Sequence, residues 1–544
     1  MIPNTFRADI AVIGGGVGGC AAALAALEAG CSVVLTEETD WIGGQLTSQM
    51  VPPDEHGWIE SFGRTAAYAR FRGGVREYYR DFYPLTPEAG RQPALNPGNG
   101  WVSPLCQEPR VALAVLNAML APYRHSGKLL ELLGHVPVGV TLEGRDLVAR
   151  VSLEDGSGQS CEVAARYFLD ATELGDLLPL AGAEHVTGQE AKGATGEPSA
   201  PATARPDNMQ AFSWCFAMEH CAGENHLGPP PAEYDFWRNY RAPLDPPWPD
   251  RWLSWSGTNP RTLEPVKYNF FPHGEEPVAF AGLWTYRRIL DRSQFASGAF
   301  ASDVVVVNWP MIDYLPRSLL ADSLAARQEV SAGAKQLSLS VLHWMQTEAP
   351  RPDGGVGWPG LRLRADIAGT VDGLAKAPYI RESRRIRAEF TVREQDVSAM
   401  LRPGATHAEP FEDSVGTGCY RIDLHPTCGG DNYLDVNSLP FEIPLGAIVP
   451  VRMENLLPAA KNLGTTHITN GCYRVHPVEW NIGESAGALA AFCIQENRRP
   501  REVRGVPEMR RKFQSMLERR GVELRWPEDL KLADGDPHRH MRRP

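Results

Sequence analysis

The sequence predicts an α/β protein, a mostly parallel sheet covered by helices with a mixed α+β unit inserted into it. Three observations predict this. An apolar strand, a glycine turn and an Ala-rich helix stand in register over residues 9–29, and a second strand follows at 31–35, which makes a βαβ unit. A run of short strands separated by turn signals fills 136–170. Late in the chain, an apolar run at 456–463 leads into a second Gly/Ala-rich helix pattern that ends at Cys493.

A chain of 544 residues has length for two large domains or roughly three to four small ones. With 43% apolar and 22% charged residues it has the composition of a folded soluble protein. Its 54 basic and 66 acidic residues give a net charge of -12, which argues against a nucleic-acid partner held by a diffuse basic surface. The 10 cysteines are spread thinly with no CxxC pair, so a reducing compartment, the cytoplasm, is expected.

The first element has to be separated from a membrane span or signal peptide, because residues 10–27 carry no charge. Its glycines at 14, 15, 16, 18 and 19 decide the matter, since a helix in lipid would place Leu there. No membrane partner is expected. Gly14, Gly16 and Gly19 form a GxGxxG turn between strand and helix. The first allows the tight turn, the second a close approach of backbone to a pyrophosphate, and the third close helix–strand packing. Glu37 ends the second strand, where a carboxylate accepts from a ribose diol and disfavours the 2′-phosphate of NADP. NAD or FAD remains. A second glycine turn, Gly43-Gly44-Gln45-Leu46-Thr47, follows at once, and the chain then leaves the expected βα repeat.

Residues 51–104 form a Pro- and aromatic-rich excursion with little helical or strand periodicity. A helix is expected near 108–120 and strands at 136–142, 147–153, 160–163 and 166–170, with Glu143-Gly144 and Asp155-Gly156-Ser157-Gly158 as turns. Gly/Ala/Pro-rich residues 188–206 read as a mobile connection, 303–309 as a strand and about 316–348 as a helix. One amphipathic helix, 508–519, and a polar end close the sequence.

The glycine turns, the LDATELGD segment (169–176) and HPVEWNIGESAG (476–487), in this order, resemble the broad bacterial FAD-dependent oxidoreductase family. In fold that family is distantly similar to fumarate reductase flavoproteins and the tRNA-uridine-modifying flavoprotein. NWPMIDY (308–314), YIRESRRI (379–386) and DSVGTGCYRIDLHPT (413–427) extend the resemblance over most of the chain. It implies a Rossmann-type FAD-binding domain, glutathione-reductase-like, with a β-meander and an inserted α+β substrate or cap domain. It also implies that Gly14, Gly16 and Gly19 hold the pyrophosphate and Glu37 the adenosine ribose. Gly43, Gly44, Gln45 and Thr47 would lie along the ribityl chain, and Val138 would meet adenine through its backbone. Ala171, Thr172 and Gly175 would pass the pyrophosphate, although Glu173 stands where the family's turn has glycine. A helix starting near Ile482 and Gly483 would aim its N-terminus at the flavin, where its partial positive charge stabilises anionic reduced flavin. No His follows the GGQLT turn, so the FAD is expected to be non-covalent.

His476 and His425 each precede a proline and are the candidate general bases, weighed against hydrogen-bonded core histidines. In the cluster 381–387, Arg381 and Arg385 are candidate substrate clamps, against a solvated face with Glu partners. Eight tryptophans between 237 and 358 read as core more than as a stacking surface. No metal site has ligand spacing. The expected layout is a discontinuous FAD domain (1–50, 105–182 and 440–495), the excursion 51–104, a substrate domain 183–439 and a tail 496–544. The function expected is hydride transfer from a small alcohol, amine or sugar-like substrate to flavin N5, with an unassigned electron acceptor and an unassigned oligomeric state. A non-redox flavin-binding protein or a flavin-dependent RNA-modifying enzyme is the alternative.

Overall fold

The computed structural model describes residues 4–271, 282–320 and 324–530. Strand β1 (Asn4–Ile13) starts earlier than its apolar core suggests, because its polar residues pair with a later strand, Asn4 opposite Cys161. Helix α1 (Val17–Glu28) buries every residue from Val17 to Leu27. A helix that is apolar all round needs cover on two sides. On one side it has the sheet of β1 and β2 (Val33–Glu37).

The excursion is not the irregular segment expected. It contains helix α2 (Ala66–Phe82), capped by the Thr65 side chain, which accepts from the Tyr68 amide. Its buried stripe is Tyr68, Phe71, Val75 and Tyr79, a helical spacing hidden among arginines and two glycines. Helix α3 (Pro109–His125) then leads to β3 (Leu129–Leu133).

Strands β4 (His135–Glu143), β5 (Leu147–Asp155) and β6 (Ser160–Asp170) form an antiparallel meander. The expected strands 160–163 and 166–170 are one strand, β6, which also pairs in parallel with β1. The sheet order is β3-β2-β1-β6-β5-β4. The inserted region carries an antiparallel sheet of β7 (Phe216–His220), β8 (Arg288–Leu290), β9 (Val304–Val307) and β10 (Leu361–Leu363), ordered β8-β9-β7-β10. Four consecutive buried valines make β9 its centre. Helix α4 (Leu324–Thr347) lies within the expected 316–348, of which 321–323 are outside the described residues. Of the eight tryptophans, all but Trp255 are buried, which fits packing. The connection 188–206 is fastened, with Arg205 paired to Asp431 at 2.7 Å.

Strand β11 (Ile422–Leu424) pairs with β12 (Leu434–Val436), and β13 (Leu456–Pro458) joins the large sheet in parallel against the end of β6. After α5 (His467–Tyr473) comes α6 (His476–Glu496). It begins six residues before the start expected near Ile482, because Val475 is its extended N-cap and Pro477 is tolerated in a first turn. Helix α6 is the second cover of α1. A Cβ at Gly483 would lie 2.0 Å from the Gly18 carbonyl, and one at Gly487 2.2 Å from that of Ala22. Helix α7 (Pro507–Arg519) buries Phe513 and Leu517, and the polar end passes outside the described residues at 531. The ten cysteines, all among the described residues, form no disulfide. Among the described residues, no helix is long and apolar enough to cross a membrane.

Candidate active site

Three turns converge at the C-terminal end of the parallel strands, where ligands sit in open α/β sheets. In the first, Gly14 has φ +104°, and a Cβ there would lie 2.3 Å from the Ala171 carbonyl. Only glycine fits. The second, around Gly43 (φ +107°), is joined to the first by the Gly43 amide, which donates to the Gly15 carbonyl at 2.7 Å. The third follows β6. The Ala171 amide donates to Ile13 at 2.8 Å, the Thr172 hydroxyl donates to Asp170 at 2.7 Å, and Gly175 takes φ +64°.

Glu37 closes the glycine turn, one carboxylate oxygen accepting from the Gly15 amide (3.0 Å) and the other from Thr39. Burial, with the Glu38 charge adding to it, pushes its pKa up. Gln45 donates to Glu479 (2.6 Å) and to the Arg474 carbonyl (3.1 Å), while its buried Oε1 has no partner among the described residues. Thr47 donates to the Ile42 carbonyl at 2.6 Å. Glu173, in the place of a glycine, ion-pairs with fully buried Lys461, which also lies 3.7 Å from Glu479. Burial opposes the Lys461 ammonium, yet the two carboxylates hold its pKa above the ordinary value. Val138 is on β4 and exposed. Ile482 and Gly483 lie inside α6, so Gly483 serves the packing on α1, and the helix N-terminus is at His476.

Beyond the second turn lies a buried ionic cluster. Arg474 donates to Asp423 (3.0 Å) and to the Tyr379 hydroxyl (3.2 Å). Asp423 is 4.0 Å from His425 Nε2, and His425 Nδ1 meets Asp313 at 2.6 Å. Arg381 holds the far side of Asp313 at 3.0 Å. Burial disfavours both aspartates as anions, but Arg381 and His425 at Asp313, and His425 and Arg474 at Asp423, hold their pKa values below the ordinary range. Arg287 pairs with Asp54 at 3.3 Å. Asp54, Asp313, Asp423, Arg287 and Arg474 carry no signal as single residues; the quoted segments 308–314, 379–386 and 413–427 do, since Asp313, Arg381 and His425 meet here.

The two histidines part ways. His476 is fully buried, Nδ1 accepting from the Asp54 amide (3.1 Å) and Nε2 donating to the Val51 carbonyl (3.2 Å). Burial lowers its pKa to about 4. Neither nitrogen is free for a substrate. His425 lines a cavity of about 260 Å³, with Nδ1 committed to Asp313 and Nε2 4.0 Å from Asp423, without a hydrogen-bond partner among the described residues. Arg381 and Arg385 are both buried rather than solvated, Arg385 between Glu382 (2.6 Å) and Glu190 (3.0 Å). Elsewhere, Cys221, Glu224 and His226 bring three possible metal-ligand atoms within 4.8 Å of one another, where spacing alone had suggested none.

A model of the FAD dependent oxidoreductase family matches residues 9–517. The chain belongs to that family. The chain's geometry fits the cofactor of that family: a glycine cradle with no room for a Cβ, an acid at the strand end, and a buried Gln45 oxygen beside the second turn that has no partner among the described residues. No curated protein matches. Among solved structures, it is similar to a geranylgeranyl bacteriochlorophyll reductase-like protein from Thermoplasma acidophilum, at 12% identity over 95% of this chain and 85% of that one, TM-score 0.29. The flavin-dependent monooxygenase PieE, in complex with FAD and substrate, matches at 14% identity over 40% and 36%, TM-score 0.24. L-proline dehydrogenase from P. horikoshii matches at 16% identity over 34% and 24%, TM-score 0.17, so the flavoenzyme spans about a quarter of that relative's length.

Proposed function

We propose that this flavoenzyme oxidises a small organic substrate by hydride transfer to non-covalently bound FAD, and that His425 takes the substrate's proton. FAD supplies the two-electron acceptor. Gly14, Gly16 and Gly19 would hold its pyrophosphate with Ala171, Thr172 and Gly175 opposite, Glu37 the ribose, and Gly43, Gly44, Gln45 and Thr47 the flavin half. Residues 1–50, 105–182 and 440–495 would act as one cofactor domain, with the excursion 51–104 beside it and the substrate domain 183–439 inserted.

The observation that carries the reading is the His425–Asp313–Arg381 chain on a cavity wall. Asp313 fixes the ring and stabilises the imidazolium formed when Nε2 accepts a proton, the role a buried carboxylate plays behind a general base. Arg381 acts through Asp313, keeping it ionised. The Arg474–Asp423 pair connects this chain to Gln45, and so to the second glycine turn.

Purified protein is expected to be yellow and to release FAD, not FMN, on acid precipitation. Anaerobic bleaching by a panel of amines, alcohols, sugars, hydroxy acids and NAD(P)H then identifies the electron donor. For that donor, His425→Asn should retain FAD while the reduction rate falls by about two or more orders of magnitude. Reduction by His425→Asn at the wild-type rate would remove His425 from the mechanism.

A further inference from the structure

The cavity beside His425 has a charge imbalance that the ionic cluster behind it lacks. Arg287, Arg381 and Arg474 are matched by Asp54, Asp313 and Asp423. The cavity itself is lined by four carboxylates and one arginine. Two of the four are neutralised, Glu190 by Arg385 at 3.0 Å and Asp431 by Arg205 at 2.7 Å. Glu197 and Asp245 have no cation in ion-pair range among the described residues.

Glu197 is the telling one. It is 1% exposed, and its Oε1 accepts from the Thr466 hydroxyl (2.6 Å) and the Glu394 amide (2.9 Å). Among the described residues its buried Oε2 has no hydrogen-bond partner, and neither has the buried hydroxyl of Tyr433 on the same cavity; burial pushes the Glu197 pKa up, a shift that a bound cation would oppose. A buried carboxylate oxygen left without a donor costs free energy that a ligand donor recovers. Resting on the hydride-transfer reading above, we propose that the cavity takes a small organic ammonium, a primary or secondary amine bearing a C–H on the carbon next to nitrogen, with Glu197 and Asp245 supplying the counter-charge. At about 260 Å³ the cavity lies just below the usual range for drug-sized ligands, about 300–1,000 Å³, so the amine is small.

The chemistry balances. An N–H proton passes to His425 Nε2, and the imidazolium is held by Asp313. The adjacent C–H bond would break with its electron pair leaving as hydride to FAD, which takes up both electrons, while a C=N bond forms; the ammonium, having given one proton to His425 and one hydride to the flavin, leaves as the iminium ion. An alcohol offers a donor but no charge to match Glu197 and Asp245, and a carboxylate is repelled.

The test uses FAD-loaded enzyme under anaerobic conditions with short-chain primary amines, the matching alcohols and the matching carboxylates. Flavin bleaching and the shift in melting temperature are read in parallel. Amines are expected to do both, and Glu197→Gln and Asp245→Asn should each raise the amine KM roughly tenfold or more with FAD content kept. Asp245 is exposed, so its variant remains informative if Glu197→Gln misfolds. Bleaching by alcohols but not amines, or amine kinetics unchanged in both variants, overturns the amine assignment and leaves hydride transfer standing. Amines that raise the melting temperature through Glu197 without bleaching the flavin keep the cation site and overturn hydride transfer.

Discussion

At the scale of single residues, His425 and His476 have the same sequence signature, a histidine before a proline in a polar segment. The signature says nothing about which ring nitrogens are free. Asp313, more than a hundred residues from His425, decides that for one, and the backbone of Val51 and Asp54 decides it for the other. His476 is therefore expected to act on stability. Its folded pKa is about 4 and its unfolded value about 6.5. Between these limits the unfolded chain binds a proton that the folded one excludes, so stability rises with pH across the window and is lost as pH falls through it. The loss is roughly 3 kcal/mol. Urea unfolding at pH 7 and pH 4 should show wild type losing more stability than His476→Asn by about that amount. Equal losses would mean that the imidazole takes up its proton in the folded state.

At the scale of elements, the βαβ unit and the meander were legible because their periodicities change at glycine or turn residues. Helix α2 was not, since its buried stripe, three aromatics and Val75, is set among arginines and two glycines that blur the helical period. The start of α6 was misplaced for a related reason: a His-Pro pair reads as extended, but proline is at home in a first turn. What the sequence does display, glycines at 483 and 487, is the groove for α1. Gly483→Ala places a methyl group against backbone that cannot rotate away, an overpacking cost of about 1–3 kcal/mol. Because Gly18 lies within the GxGxxG turn, the shift should also reach the cofactor site. Gly483→Ala is expected to lower both melting temperature and FAD content, whereas Gly487→Ala, a turn further from the cradle, should lower the melting temperature and keep more FAD. Wild-type stability in Gly483→Ala would refute the close approach of the two helices.

At the scale of the whole molecule, the cradle is assembled from segments far apart in the chain. The glycine turns lie at 14–19 and 43–47, the third turn at 171–175, and Lys461 and Glu479 near the end. Motif order suggested this closure, but the buried ionic cluster behind the cavity depended on long-range pairs that no local pattern encodes. Because FAD contacts would draw on the first and last parts together, ligand binding should stabilise the entire fold. Free FAD at about a hundredfold over its Kd adds roughly 2.7 kcal/mol, so the melting temperature of FAD-stripped protein should climb with added FAD. Glu37 gives that linkage a pH signature. Burial and Glu38 raise its pKa in the protein alone, and a ribose diol donating to the carboxylate lowers it again. The complex then holds fewer protons than the free protein, so binding releases a proton and FAD affinity tightens as pH rises through the raised titration range. Glu37→Gln, which cannot ionise, should bind FAD more weakly with a flatter pH dependence. If wild type and Glu37→Gln follow the same pH course, the carboxylate is not what meets the ribose.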